Sequence, residues 1–220
     1  MFIGHFGVGM AAKKYAPGIS LGTLFIAAQF LDLLWPTLLL LNVEHVIIRP
    51  YNSLQPLDFI DYPISHSLVM VLLWSLLFGI GYWLFKKNRK AAIVLALCVI
   101  SHWILDLVVH FPDLPLYPGH SPKFGFGLWN SPVTTAIVEG AIFITGIVFY
   151  LQQTTAKNVG GTILFWMLIT LLAGAHAANL FGPVPTSISA IAWGAQLQWV
   201  FVMLAFWVDH NRWLRDKERI

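Results

Sequence analysis

AAIVLALCVISHWILDLVVHF, residues 91–111, is a run of 21 residues with one acidic side chain and no Lys or Arg. As an α-helix it would be about 30 Å long, which matches the hydrocarbon thickness of a bilayer. A loop or a single strand there would leave its backbone polar groups without partners in lipid. The stretch therefore predicts a membrane-spanning helix.

The rest of the chain shares this apolar character. Of its 220 residues, 58% are hydrophobic and 10% are charged, whereas soluble domains average about 25% charged residues. A water-soluble globule is excluded, because too few charged side chains are present to cover its surface. Cys98 is the single cysteine, so no disulfide can form within the chain.

Long apolar runs recur along the chain and are bounded by Pro, Gly or charged residues. Pro63 precedes the second run and Pro132 opens the fourth, as is typical of helix N-termini. The pattern predicts an all-α integral membrane protein, with about six transmembrane helices in a single polytopic domain over residues 1–220. The predicted spans are 19–41, 64–85, 91–111, 132–151, 160–180 and 188–208.

The Lys and Arg residues divide unequally between the two sides of these spans. Eleven of the thirteen fall on one side, and Arg49 and Lys123 fall on the other. The positive-inside rule predicts that the basic side, with both termini, is cytoplasmic in a multi-pass protein of the inner membrane. The lipid bilayer is the expected partner, and nucleic acid is not, because no basic stripe is present. The eleven basic residues on the predicted cytoplasmic side are Lys13, Lys14, Lys86, Lys87, Arg89, Lys90, Lys157, Arg212, Arg215, Lys217 and Arg219.

Ionisable side chains within the spans gather toward the outer side. At 1.5 Å per residue, Asp32 and His102 lie about 13 Å below the outer end, and the others lie shallower. An ionised carboxylate in hydrocarbon costs at least a few kcal/mol, and the spans hold no Lys or Arg. Protonation, a water-filled cavity or a metal ion could compensate, and neighbouring imidazoles favour the metal. The ionisable residues of this outer layer are Asp32, His66 at the mouth of its span, His102, Asp106, His110, Glu139 and His176.

The sharpest local pattern is SHWILDLVVH, residues 101–110. Steps of four residues advance only 40° around a helix, so His102, Asp106 and His110 should share one face. Two ligands one turn apart on a helix are a recurrent metal-binding arrangement. In DFIDYPISHS, residues 58–67, Asp61 and His66 are expected to add ligands at the outer mouth.

The N-terminal run before Lys13 has about eleven apolar residues and is too short to cross a bilayer. It predicts either a half-helix that carries His5 toward the middle of the membrane or an amphipathic helix on its surface.

The outer side also offers contacts for a substrate. Residues 112–131 are rich in Pro, Gly and aromatic side chains, which predicts an irregular lid. Arg49 and Lys123 are the outer-side cations that could meet an anionic group, unless they only reach toward the membrane surface. His176 is the third candidate for contact with a substrate.

Four short pieces of the first 120 residues carry a family pattern. They are Gly4-His5, Asp32, YPISHSL with His66, and SHWILDLVVHFPDLPLYPG with His102 and Asp106. Together they resemble a bacterial family of inner-membrane, metal-dependent hydrolases of the LexA-binding, membrane-associated type. The resemblance implies that His5, Asp32, His66, His102 and Asp106 are metal ligands. Asp61 and Tyr62 depart from the family, which has His and Arg at these positions, and Asp32 is one acid where the family has two.

The leading hypothesis is therefore a membrane-embedded, metal-dependent hydrolase with an outward-facing site. Zn²⁺ is the expected ion, with Mn²⁺ or another divalent ion as the alternative. The ion would acidify water, and Glu139 or Asp32 would serve as the catalytic carboxylate. A phosphoester or another small, lipid-like molecule is the expected substrate. The metal-ligand candidates are His66, His102, Asp106, His5, Asp32, His110 and Asp61.

Two other functions fit the same polar layer. A transporter or channel would use it as an ion or proton path, but polar groups would then have to continue to the other face. Gln196 and Gln198 are the deepest such candidates. A haem protein would use His102 and His176 as axial ligands.

Overall fold

The computed structural model describes residues 1–49 and 56–215. This part of the chain is mostly helical, as predicted, and adds three short antiparallel strand pairs: β1 with β2, β3 with β4, and β5 with β6. Lys217 and Arg219 of the predicted basic tail lie outside the described residues. The elements in order are α1 (Ile3–Ala12), α2 (Leu21–Ala28), α3 (Phe30–Leu40), β1 (His45–Ile48), β2 (Leu57–Asp61), α4 (Pro63–His66), α5 (Leu68–Lys86), α6 (Arg89–Val109), β3 (Leu114–Pro115), β4 (Lys123–Phe124), α7 (Pro132–Gln153), β5 (Thr154–Ala156), α8 (Val159–Phe181), α9 (Ile188–Gln196), α10 (Gln198–His210) and β6 (Arg212–Leu214).

The predicted set of about six transmembrane helices is confirmed. Within residues 1–49 and 56–215, five helical runs are long and apolar enough to cross a bilayer, and α2 with α3 makes a sixth if the bent pair counts as one span. The second predicted span is divided, because Ser67 is extended, with ψ 141°, and separates α4 from α5. The five runs are α5, α6, α7, α8 and Ile188–His210.

The first span is bent by 60° between α2 and α3, whereas the sequence predicted a single helical span over 19–41. Gln29 stands at the break with φ −101° and ψ 9°, outside helical geometry. The helical hydrogen bonds resume when the Leu33 N–H donates to the Gln29 carbonyl. A polar residue in the middle of the apolar run is the sequence feature that accompanies the bend, and the bend places Asp32 in the first turn of α3.

The predicted N-terminal half-helix is α1, which buries eight of its ten residues. It crosses α7 at very short range through two glycines. A Cβ at Gly146 would lie 2.2 Å from the Gly7 carbonyl oxygen, and a Cβ at Gly7 would lie 2.7 Å from the Ile142 carbonyl oxygen. Small residues allow such close backbone packing between helices in membranes.

A partly buried ion pair fixes the C-terminal end of α1. Lys13 donates from Nζ to the two Asp209 carboxylate oxygens at 2.9 and 2.8 Å, and the Tyr150 hydroxyl donates to the same carboxylate at 2.9 Å. Between His5 and Lys13, the side chains of Phe6 and Met10 are fully buried. The alternative of a helix on the membrane surface is therefore wrong, because α1 packs among the other helices.

The segment between α6 and α7 is irregular, as expected from its Pro and Gly content. It is held by backbone hydrogen bonds, including those from the Phe126 N–H to the Leu107 carbonyl and from the Gly127 N–H to the His110 carbonyl. Leu114 of β3 is completely buried. The segment therefore packs onto the end of α6 and covers that end of the bundle.

Candidate metal centre

The helix α6 supplies two of the five polar side chains that meet at one point. His102 and Asp106 lie one turn apart on the same face, 0% and 1% exposed. His102 Nε2 stands 3.1 Å from Asp106 Oδ2. This pair has the geometry that the four-residue spacing predicted.

Asp32 and His66 come from helices that lie next to breaks in the predicted spans. The bend at Gln29 brings Asp32 Oδ1 to 3.7 Å from His102 Nε2. The short helix α4 ends at His66, whose Nε2 is 3.7 Å from Asp32 Oδ1 and 3.7 Å from Asp106 Oδ2. The Asp32 side chain remains 22% exposed, so it is the most accessible of the four groups.

The half-helix α1 brings His5 to the same place. His5 Nε2 lies 3.1 Å from Asp106 Oδ1. Its ring stacks on the His102 ring, with centroids 3.6 Å apart and an interplanar angle of 7°. The five residues that the sequence resemblance implied as ligands are therefore neighbours, although they come from four different helices.

The separations between these atoms suit a small divalent ion. Ligand atoms around a tetrahedral ion with bonds of about 2.1 Å stand about 3.4 Å apart. The four separations between the Nε2 atoms of His66 and His102 and the carboxylates of Asp32 and Asp106 range from 3.1 to 3.7 Å. His5, Asp32 and His102 form one potential ligand group, and His66, His102 and Asp106 form another.

The position of the hydrogen on the His102 ring makes the fit of the cluster to a cation more specific. Its Nδ1 lies 2.8 Å from the Ala28 carbonyl oxygen at the bend, and a carbonyl can only accept, so Nδ1 carries the hydrogen. In the neutral ring Nε2 is then an acceptor that faces two carboxylates. Within the described residues this buried atom has no hydrogen-bond partner. A cation between these acceptors would satisfy all of them.

A positive group already contacts one of the acids. The α-amine of Met1 pairs with Asp106 Oδ1. The sequence showed no basic side chain within the spans, and this amine is a backbone group that such a count omits. The Oδ2 atom of the same carboxylate faces His66 and His102.

The two potential ligand groups overlap at one histidine. His102 belongs to both groups, but its Nδ1 is bonded to Ala28, which leaves only Nε2. One imidazole nitrogen binds one ion at a time. The two groups are therefore alternatives at His102, because both cannot use its Nε2 together.

Glu139 occupies a different position from the five clustered residues. Its Oε2 accepts from the Phe2 N–H at 2.7 Å and from the Gly4 N–H at 3.4 Å, which caps the N-terminus of α1. His176 Nδ1 lies 4.0 Å from the same oxygen. Both side chains are therefore beside the end of α1 that carries His5.

The structure does not bring His110 or Asp61 into the cluster. α6 ends at Val109, and His110 is extended with ψ 150°, so the helical face no longer continues through it. Its Nδ1 lies 2.9 Å from Asp113 Oδ1, and its ring centroid lies 4.1 Å from that of Trp129. Asp61, at the end of β2, is exposed and lies 3.5 Å from His45.

The two cations that were predicted to bind a substrate both contact residues of β2. Arg49 forms an ion pair with Asp58. Lys123 is exposed and donates from Nζ to the Ile60 carbonyl at 3.0 Å. Their contact with a substrate stays a prediction.

A buried tyrosine covers the centre on the side of α4. The Tyr62 hydroxyl donates to Asp113 Oδ1 at 2.8 Å, and its ring centroid lies 5.1 Å from that of His66. Burial, and next the negative charge of Asp113, raise the pKa of Tyr62 well above its ordinary value. The phenol therefore stays protonated, and His110 and Tyr62 both meet the Asp113 carboxylate.

Sequence reasoning missed three groups that support the centre. They are the Ala28 carbonyl, Ser65, and the buried acid Glu44 next to β1. The available signals were the polar Gln29 within an apolar run and a Ser directly before His66. Pro36 was a third signal. It has no N–H to donate to the Asp32 carbonyl, and Gln198 Nε2 lies 3.5 Å from that carbonyl oxygen.

The comparison with known protein families gives a match over most of the chain. The sequence model of the family described as YdjM inner membrane protein matches residues 1–182. The matched range includes all five clustered residues and continues past the first 120 residues that carry the motif resemblance. Neither the curated proteins nor the solved structures give a match.

Proposed function

The chain belongs to the YdjM inner membrane protein family, and we propose that it is a membrane-embedded hydrolase that depends on one divalent metal ion. His66, His102, Asp32 and Asp106 would hold the ion, with His5 as the fifth candidate ligand. Zn²⁺ suits this mixture of imidazole and carboxylate groups, and Mn²⁺ is the alternative.

One observation carries the proposal. The Nε2 atoms of two histidines meet two carboxylates at 3.1 to 3.7 Å, inside a bundle of apolar helices. Charged groups in such a place need compensation. Ligand number, ligand chemistry and separations all agree with a divalent ion.

With a divalent ion bound, the centre would offer a Lewis acid for a carbonyl or phosphoryl group and would lower the pKa of water to about 7. The protein groups then have separate tasks. Asp32 is 22% exposed, more than the other clustered residues, so it can meet a substrate or accept a proton. Glu139 is the second candidate base. The depth of the centre among apolar helices supports a lipid-like substrate or a phosphoester.

The contacts favour an enzyme over the two alternative functions. A continuous ion path would need polar groups between the centre and the opposite end, but along α1 the fully buried Phe6 and Met10 separate His5 from Lys13. A haem bound through His102 would need open space at Nε2. Asp106 Oδ2 stands there at 3.1 Å.

Glu139→Gln tests the role of the second carboxylate. The amide oxygen can still accept the N–H groups of Phe2 and Gly4, so α1 should stay in place, but the amide cannot act as a base. We expect unchanged metal content and a loss of hydrolysis of about 100-fold or more. The assay would follow p-nitrophenyl phosphate, p-nitrophenyl acetate and a fluorogenic phospholipid. Undiminished hydrolysis would leave Glu139 only as the cap of α1.

The outward orientation of the centre is tested by cysteine labelling in intact cells. The eleven-to-two division of basic residues predicts that cysteines at Lys87 and Lys157 are shielded from an impermeant maleimide, whereas one at His120 is labelled. Native Cys98 is buried and provides a low background. Labelling with the opposite pattern would place the centre on the cytoplasmic side.

A further inference from the structure

Glu44 is a buried acid, 1% exposed, with three hydrogen bonds to a single short segment. Its Oε1 accepts from the N–H groups of Ile64 and Ser65, both at 2.7 Å. Its Oε2 accepts from the Ser65 hydroxyl at 2.6 Å. Glu44 therefore holds the first turn of α4, the helix that carries His66.

The Ser65 hydroxyl continues the chain of contacts to His66. Ser65 Oγ lies 2.6 Å from His66 Nδ1. A carboxylate can only accept, so the hydroxyl hydrogen is donated to Glu44, and the contact with His66 requires a hydrogen on Nδ1. His66 Nε2 is then the lone-pair atom, and it is the atom that faces Asp32 and Asp106.

We propose that Glu44 and Ser65 are positioning residues that hold His66 as its Nδ1–H tautomer and direct Nε2 toward the metal centre. This inference rests on the proposed function. His102 is oriented in the same way by the Ala28 carbonyl. Hydrogen bonds of this kind, from the far nitrogen of a metal-binding histidine, fix the ring and increase its strength as a ligand.

The role of Ser65 as a link can be separated from the role of Glu44 as a cap. Ser65→Ala removes the hydroxyl but keeps both backbone N–H bonds to Glu44, so α4 should remain folded. Ser65→Thr keeps a hydroxyl. Ser67→Ala is the matched control, because Ser67 Oγ is also buried beside His66 and has no hydrogen-bond partner within the described residues.

Zinc affinity of the detergent-purified full chain is the first measurement. With a competing chromophoric chelator, Ser65→Ala should bind zinc roughly 10- to 100-fold more weakly than the parent. Ser65→Thr should recover most of the loss, and Ser67→Ala should match the parent. In a parent that binds zinc, an equal affinity in Ser65→Ala would overturn the inference.

The tautomer of His66 is the second measurement, and it needs no metal. Nitrogen spectra of the metal-free protein with ¹⁵N-labelled histidine would be assigned by comparison with His66→Gln. The parent and Ser65→Thr should show the Nδ1–H tautomer, and Ser65→Ala should show a mixture or the other tautomer. The same tautomer in Ser65→Ala as in the parent would contradict the inference. If the parent shows this tautomer pattern but binds no zinc, the proposed function fails and the orienting role of Ser65 stands.

Discussion

Asp106→Ala is expected to abolish metal binding at physiological concentrations. Asp106 contacts more of the clustered imidazoles than any other carboxylate described, with its oxygens 3.1 Å from His5, 3.7 Å from His66 and 3.1 Å from His102. Its removal would leave the three rings without the group that they share. Loss of a direct ligand should exceed the 10- to 100-fold effect typical of supporting residues. Zinc competition on the purified variant measures the loss.

Asp61→Ala is the matched control for this change. It also removes one carboxylate near the same end of the bundle, but Asp61 is exposed and pairs with His45. The variant should bind metal as the parent does. Weaker binding in Asp61→Ala, with normal binding in Asp106→Ala, would show that the cluster is not the ion site.

Gly146→Ala is expected to displace α1 and thereby weaken the centre from a distance. The added Cβ would stand 2.2 Å from the Gly7 carbonyl oxygen, so the helices must separate. Overpacking of this kind costs about 1–3 kcal/mol of stability. The movement should also shift His5, which lies less than one turn from Gly7. We expect a lower unfolding temperature together with weaker zinc binding.

Gly140→Ala provides the comparison on the same helix. A Cβ at Gly140 has no atom within 4 Å, so stability and zinc affinity should both be unchanged. Equal effects of the two substitutions would mean that the close crossing of α1 and α7 does not support the centre. A stability loss in Gly146→Ala without a change in zinc affinity would exclude His5 from the ligands.

The parts of the architecture that were predictable depend on local sequence. Apolar length predicts a membrane helix because the bilayer fixes the length required. The pairing of His102 with Asp106 follows from helical spacing, since both lie in the interior of α6. The half-helix α1 was predictable for the same reason, because an apolar run that is too short to cross the bilayer can still enter it.

The predictions that failed concern places where a helix ends or breaks earlier than its sequence suggested. His110 was expected on the face of His102, but α6 ends one residue before it and the chain turns toward Trp129. The bend at Gln29 likewise interrupts the first span, which was expected as a single helix. Helix ends and breaks depend on tertiary contacts, here the packing of the 112–131 segment and the bond from His102 to Ala28.

The groups that orient the ligands could not be inferred from spacing. Glu44 and Ser65 are 21 residues apart and meet only because the residue just before β1 lies against α4. The Ala28 carbonyl is a backbone atom, so no residue type marks it in the sequence. Such contacts become visible only once the bend and the short helix α4 are in place.

Elemental analysis of the purified protein is the most direct test of the central claim, that these buried acids and imidazoles hold one divalent ion. The full chain would be purified in detergent without a histidine tag or a chelator, beside Asp106→Ala and Asp61→Ala. We predict one zinc or other divalent ion per chain in the parent and in Asp61→Ala, and almost none in Asp106→Ala. Substoichiometric metal in the parent, at the same level in Asp106→Ala, would contradict the claim.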